Sequence, residues 1–312
     1  MDVSQIMKTQ PLMYSVLNTL FQKGIQDAPK VFTNLYESVS SGSKENVYAW
    51  LNRLPGMRLW KNNTGRVHRN VESDDFSVPN KRYEDTIDIP VDDLADEQAP
   101  VYSKAAQMMG RSCATIVDEL MAKALNEGFT ITESYDGVTM FSAAHVAGIT
   151  SYSNLGTGQL TETNFKTAVT ALGNLRLQAD VESTPIPVNA GMKLLLVVPE
   201  VLRFTAVDIL ERQLIGGGNS NPLYKYAEIL PTSYLTSNTA WFLFNMNGGI
   251  KPFFLQEREK FKMVSKTPLV NPSDRNFELD LITYAGKWRG AVCPTMPYLM
   301  YGSTGEDESS SS

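Results

Sequence analysis

Cysteine and histidine are scarce in this 312-residue chain, with two of each. Cys113 and Cys293 lie far apart, and His68 and His145 have no ligand-spaced neighbours. A disulfide framework is excluded, and a zinc site of the usual Cys/His spacing is not expected. Two isolated thiols suit a reducing compartment such as a cytoplasm. Long apolar runs are missing too. Residues 229–250 carry no charge, but Pro231, Thr232, Ser233, Thr236, Ser237, Asn238, Asn245 and Asn247 interrupt them. A bilayer span needs about 20 mostly apolar residues. The opening MDVSQIMKTQ has no basic region leading into an apolar run, so no secretory signal is expected. Cationic charge is in deficit: Lys+Arg is 28 against 34 Asp+Glu, a formal net charge of -6. A protein that grips DNA through its phosphates needs the opposite balance.

What is present is ordinary globular material: 42% hydrophobic, 20% charged and 10% aromatic residues. The length corresponds to roughly two domains at ~150 residues each. No internal repeat is visible. Leu12, Met13, Val16, Leu17 and Leu20 give Pro11 to Gln22 a helical spacing. Gly24 and Pro29 are expected to break it, and a second short helix is expected from Val31 to Ser38. Residues 1–45 thus read as an N-terminal arm with little core of its own.

Residues 46–60 (NVYAWLNRLPGMRLW) are aromatic and apolar, with a turn at Pro55-Gly56. A polar stretch follows, in which Lys61, Arg66 and Arg69 precede Glu72, Asp74 and Asp75. From Tyr83 to Ile89 apolar and polar residues alternate, the period of a strand with one wet face. Residues 57–90 therefore read as a long two-stranded excursion with a charged tip. Arms of about 15 residues would project up to ~50 Å. A lone hairpin of that length needs another surface to lie on.

The strongest helical pattern runs between Pro100 and Gly128. Ala106, Met109, Cys113, Ile116, Val117, Leu120 and Ala124 repeat every three or four residues there. It predicts a rod of ~40 Å, a structural spine. Short strands and Gly-rich turns fill 129–160. Thr161 is placed to cap a helix carrying Phe165, Ala168, Val169, Leu172 and Leu175. Lys193 to Val198 (KLLLVV) reads as a buried strand, and Pro199 opens a helix through Leu210. Gly216-Gly217-Gly218-Asn219 reads as a surface loop. Trp241 to Asn245 and Phe253 to Gln256 read as strands, with two or three more between Phe277 and Tyr301. The tail GEDESSSS is acidic and of low complexity.

Each candidate for chemistry has a plainer reading. The triple glycine lacks the Gly-Lys-Ser/Thr of a phosphate loop. A Cys/His pair with His145 would need contact and an orienting group, whereas Cys113 falls in an apolar helical stripe, where thiols are inert. The pairs Asp74-Asp75, Asp92-Asp93 and Asp96-Glu97 match no calcium loop. Asp92 to Glu97 instead suit the start of the long helix. Lys61, Arg66 and Arg69 could touch nucleic acid, but acids follow them, so they read better as a docking edge. Trp50 and Trp60 are core or interface anchors. No acid, base and nucleophile come together. The chain is built to assemble rather than to catalyse.

The order of arm, long hairpin, spine helix, mixed sheet, second helix and further mixed domain resembles the Hong Kong 97-type capsid fold of tailed phages and herpesviruses. Particular residues resemble the Mu-like major head subunit family: Tyr48 to Trp60, Phe76 to Thr86, Met109-Gly110-Arg111-Ser112 and Asp118-Glu119-Leu120. So do Tyr135-Asp136-Gly137 with Phe141 and His145, Leu196-Val197-Val198-Pro199, Asn221-Pro222, Trp241 and Lys251-Pro252-Phe253. Two departures are Ala95-Asp96-Glu97-Gln98, where the family often has Asp-Asp-Gln, and His145-Val146, where it often has His-Pro.

The resemblance implies an α+β capsid protein that builds pentamers and hexamers of an icosahedral shell around double-stranded DNA, bound without sequence preference. It implies residues 46–95 as the extended-loop hairpin, 96–187 as a peripheral domain with the spine helix at 99–127, and 188–275 as an axial domain. Residues 276–312 would be return strands and an acidic tail. Residues 1–45 would reach another subunit. The assembly residues expected are Trp60, Arg66, Arg69, Asp74, Asp75, Gly217 and Asn219. Portal, scaffold or protease and decoration proteins are the further partners implied. Synthesis in a bacterial cytoplasm and residence in the virion follow, with no cofactor, metal, membrane or catalytic residue. An encapsulin-like compartment with the same fold, and a cytosolic Cys-dependent hydrolase, are the alternatives.

Overall fold

A computed structural model describes residues 3–48, 76–90, 92–93, 99–179, 181, 183–247, 249–266 and 278–306. Helix α1 spans Val3–Asp27. It begins ahead of Pro11 and runs through Gly24, which was expected to break it. The reason is tertiary. A Cβ on Gly24 would lie 2.1 Å from the carbonyl oxygen of Gln107. A Cβ on Gly110 would lie 2.1 Å from that of Phe21. Both glycines let α1 cross the spine helix α2, Ala99–Asn126, at backbone contact. Leu17 and Phe21 are buried there with Ala106, Met109, Ile282 and Tyr284. The arm therefore packs on its own chain, which corrects the expectation that it has little core.

The chain leaves α1 through a turn anchored by Asp118 on α2. Its carboxylate accepts from the backbone N–H of Val31 at 2.9 Å and of Phe32 at 3.2 Å. Tyr36–Ser40 is strand β1, not the helix expected from Val31 to Ser38. It pairs in parallel with a strand more than 200 residues later, a partner that local periodicity does not reveal. Glu45–Val47 (β2) pairs with Ser77–Pro79 (β3) in antiparallel register. The two strands are the feet of the segment between them, and most of the expected hairpin (residues 49–75) lies outside the described residues. Lys81–Pro90 (β4) is the strand its alternation predicted.

Beyond α2, short strands β5 (His145–Ala147) and β6 (Thr150–Tyr152) form a hairpin, followed by β7 (Leu155–Gly156). Helix α3, Glu162–Asn174, is capped as expected: the Thr161 side chain accepts from the Asn164 N–H. A small pair, β8 (Arg176–Leu177) and β9 (Ile186–Pro187), leads to β10, Leu194–Pro199. The helical turn after Pro199 continues into α4, Arg203–Leu210. The strands that follow are β11 (Ala227–Thr232), β12 (Trp241–Asn245), β13 (Phe253–Lys266), β14 (Leu281–Pro294) and β15 (Met300–Ser303).

Two main sheets result. One has the order β1-β13-β14-β4, and the other β11-β10-β12-β15-β7. The second is covered on both faces, which is why β10 is apolar at every position. Leu195 and Val197 of β10, with Phe242 and Phe244 of β12, meet Phe32, Met121 and Leu125. Leu194, Leu196 and Val198, with Trp241 and Leu243, meet Phe165 and Leu172 of α3 and Ala206 and Leu210 of α4. Residues 188–275 are therefore divided between sheets. β13 joins the four-stranded sheet, while β15 and β7, from outside that span, complete the five-stranded one.

Candidate assembly surfaces

Of the seven residues expected at assembly contacts, Trp60, Arg66, Arg69, Asp74 and Asp75 lie outside the described residues. Gly217 and Asn219 sit in the loop after α4. This loop is built rather than slack. The Ile215 N–H donates to the Asn219 carbonyl at 2.8 Å, and the Asn221 N–H to the Gln213 carbonyl at 2.9 Å. The Asn221 side chain donates to the carbonyls of Ile209 and Arg212 at 2.9 and 2.8 Å. Gly217 and Gly218 both hold φ of 80°, a region that favours glycine. Added side chains at Gly216 and Gly218 would meet nothing, so the tip stands free.

Beside it, α4 turns apolar residues outward. Phe204 is 78% exposed, and Val201, one turn earlier, is exposed too. The ion pairs Glu200–Arg203 and Asp208–Arg212, both at 2.6 Å, lie on the same short helical stretch. Such exposed pairs contribute ~1 kcal/mol or less to folding.

A second exposed apolar group lies at the β5–β6 tip. Gly148 holds φ of 62°, and a Cβ there would lie 2.4 Å from the Gln178 carbonyl oxygen. The Ile149 N–H donates to that carbonyl, and the Gln178 amide donates to the Ser183 carbonyl. The arrangement holds Val146, Ile149 and Val181 out in solvent, Val181 at 83% exposure. Sequence reading missed both groups. An apolar residue in a short amphipathic stretch carries no mark of whether it faces core or solvent.

Among the described residues, the Cys/His contact that a hydrolase of this kind would need is not formed. His145 is fully buried, with Nδ1 2.7 Å from Asp136 Oδ2 and Nε2 3.3 Å from the Met140 carbonyl. Its ring stacks on Tyr152. Neither nitrogen faces a thiol. Cys293 sits in an apolar cluster on β14, and burial pushes its thiol up to about 12. Burial, then the charge of Asp85, pushes Cys113 up to about 11. Thiols raised in this way are poor nucleophiles at neutral pH. Asp93, in the acidic run ahead of α2, accepts from the Tyr102 hydroxyl, a structural contact. Among the described residues no group of three His, Cys, Asp or Glu side chains is arranged to hold a metal, and no helix is long and apolar enough to cross a membrane.

A spine helix over a four-stranded sheet, beside a sheet covered on both faces, defines a phage capsid subunit fold of the Hong Kong 97 type. Solved structures agree. The procapsid subunit of bacteriophage JBD30 matches with a TM-score of 0.54 at 22% identity, covering 96% of this chain and 77% of that one. The decorated JBD30 capsid matches at 0.55, covering 69% of this chain and 94% of that one.

The family model of the Mu-like prophage major head subunit gpT matches residues 11–159, 152–235 and 236–310, and the chain belongs to that family. The major capsid protein of Escherichia phage Mu is 35% identical over 145 residues, 46% of this chain and 45% of that protein. The Mu-like prophage FluMu major head subunit of Haemophilus influenzae is 33% identical over 128 residues, 41% of each chain. The aligned stretches thus span under half the length of these curated relatives.

Proposed function

We propose that this chain is the major capsid subunit of a tailed phage and has a structural, non-enzymatic role. Copies of it assemble into pentamers and hexamers of an icosahedral shell enclosing double-stranded DNA. The observation that carries this reading is the family match, which extends from residue 11 to residue 310. The exposed apolar groups on α4 and the β5–β6 tip support it. Exposed clusters of that kind mark contacts between proteins. The acidic balance also fits, because a container must not hold its packaged DNA as tightly as a DNA-binding protein would.

In this reading residues 1–45 form the N-terminal arm and 46–95 the extended-loop hairpin, with 57–90 lying on the neighbouring subunit. Residues 96–187 form the peripheral domain, 188–275 the axial domain, and 276–312 the return strands and tail. Gly217 and Asn219 stand near the capsomer axis, and Trp60, Arg66, Arg69, Asp74 and Asp75 make contacts between subunits. Portal, scaffold or protease, and decoration proteins are the further partners. The subunit is made in the bacterial cytoplasm and ends in the virion. An encapsulin-like compartment would share the fold, and neighbouring genes separate the two. A portal and a large terminase subunit accompany a phage head, whereas a cargo enzyme accompanies a compartment.

The test is deletion of residues 62–74, or Trp60→Ala. Either is expected to leave soluble, folded subunits that form no shells by negative-stain electron microscopy. Normal shells from the deletion variant would sink the role given to the hairpin.

A further inference from the structure

The four-stranded sheet has one face packed on helices and one open to solvent. Ile282, Tyr284 and Trp288 of β14 turn toward α1 and α2. Lys287 and Arg289 alternate with them and turn the other way. On that open face the register sets cation against cation. Lys287 stands directly opposite Lys262 of β13, and Arg289 directly opposite Arg82 of β4. Lys262 and Arg82 are exposed, and Lys287 and Arg289 are half-buried. Like charges directly opposite one another destabilise a sheet.

Two acids share these rows and do not cancel them. Glu259 pairs with Lys262 at 2.9 Å. Its carboxyl is drawn below the usual range by the hydrogen bond from Lys262, then by the charges of Lys262, Lys287 and Arg289. One carboxylate thus serves three cations. Glu84 stands opposite Lys287, yet it accepts from the Thr86 hydroxyl at 2.6 Å instead. Arg82, Lys287 and Arg289 form no ion pair among the described residues. The feet of the hairpin cover the other end of the same face, where Tyr48 and Val78 pack with Phe254 and Cys293.

We propose that this cationic face receives the acidic run Glu306-Asp307-Glu308 of a second copy of this chain. The inference rests on the reading of the protein as a self-assembling subunit. Charge complementarity selects the occupant. Each copy is anionic as a whole, with a formal net charge of -6, and this is its one run of three consecutive acids. Residues 290–312 contain no Lys or Arg, so the run has no cation near it in sequence. Nor does the fold bring it to its own cationic rows. It follows β15, a strand of the five-stranded sheet, and Gly305 lies against the Thr239 carbonyl there. The contact is head-to-tail, the kind that closes copies into rings.

The experiment mixes equal amounts of unlabelled and isotope-labelled subunits, assembles them, and adds a water-soluble carbodiimide. The reagent joins a carboxylate to an amine in direct contact, and mass spectrometry reads the products. Links from Glu306, Asp307 or Glu308 to Lys262 or Lys287 are expected, in mixed-isotope pairs as often as in matched ones. Matched pairs alone would place the contact within one chain and overturn the proposal. So would links elsewhere with none at these two lysines. A second arm measures the critical subunit concentration for particle formation by light scattering. K287E/R289E is expected to raise it about fivefold or more and to flatten its dependence between about 50 and 500 mM NaCl. Adding E306K/D307K/E308K to that variant should restore assembly. Absence of rescue would overturn the proposal. A variant that loses bound nucleic acid while the tail reversal alone changes nothing would overturn it too, in favour of phosphates on this face. If wild type forms no particles while its subunits stay folded, the assembly reading fails, and mixed-isotope links in concentrated soluble subunits still decide the contact.

Discussion

The α1–α2 crossing yields the sharpest test of the fold. In Gly110→Ala the new methyl would sit 2.1 Å from the Phe21 carbonyl oxygen. Carbon and oxygen ordinarily approach no closer than ~3.3 Å, so the helices must separate by about 1 Å. Overfilling a packed core costs ~1–3 kcal/mol. This clash sits at the upper end, because no rotamer change relieves a backbone atom. Alanine regains about 1 kcal/mol of helix propensity. The net expected loss is about 2 kcal/mol, or roughly 4 °C in Tm at the ~2 °C per kcal/mol of a large domain. The assay is urea denaturation of the unassembled subunit followed by far-UV circular dichroism. Gly42→Ala is the control, since a Cβ there meets nothing within 4 Å, and its midpoint should not move. A neutral or stabilising Gly110→Ala would refute the close crossing.

Asp118→Ala should cost about 3 kcal/mol, read as a fall in the urea midpoint. It orphans the buried Phe32 N–H and the part-buried Val31 N–H, which now donate to a carboxylate, and Asp118→Asn, which keeps one acceptor, should cost less. Thiol labelling with a disulfide reagent at pH 7.5 should be slow for Cys113 and nearly absent for Cys293 until urea is added, given thiols raised to about 11 and 12. A rapid burst from the native protein would contradict that burial. Burial raises Tyr284 and Tyr298 to about 12 from an ordinary value of 10.0. The unfolded chain then loses those protons first, so the stability they contribute is complete below pH ~10 and lost as pH rises through ~12. A urea midpoint that stays flat to pH ~12 would argue against these burials.

Elements whose identity depends on local pattern were legible in the sequence. The spine helix announced itself by its apolar stripe and flanking Pro100 and Gly128. α3 did so by Thr161, and β10 by an apolar run too short for a helix. What stayed hidden was decided by distant partners. Gly24 reads as a breaker unless Gln107 is known to lie against it. Tyr36–Ser40 is a strand because β13 offers it an edge. The division of strands between two sheets, and the buried acceptor at Asp118, likewise need the folded chain. The same holds for the surfaces. Phe204 and Val181 look like core residues in sequence but are exposed in the fold.

The central claim is that the chain builds shells from copies of itself. Expressing it alone and measuring particle size, by light scattering with negative-stain electron microscopy, tests this most directly. Shells, tubes or five- and six-membered rings are the expected result. A 34.6 kDa monomer that stays monomeric at high concentration, even with the products of its neighbouring genes present, would contradict it.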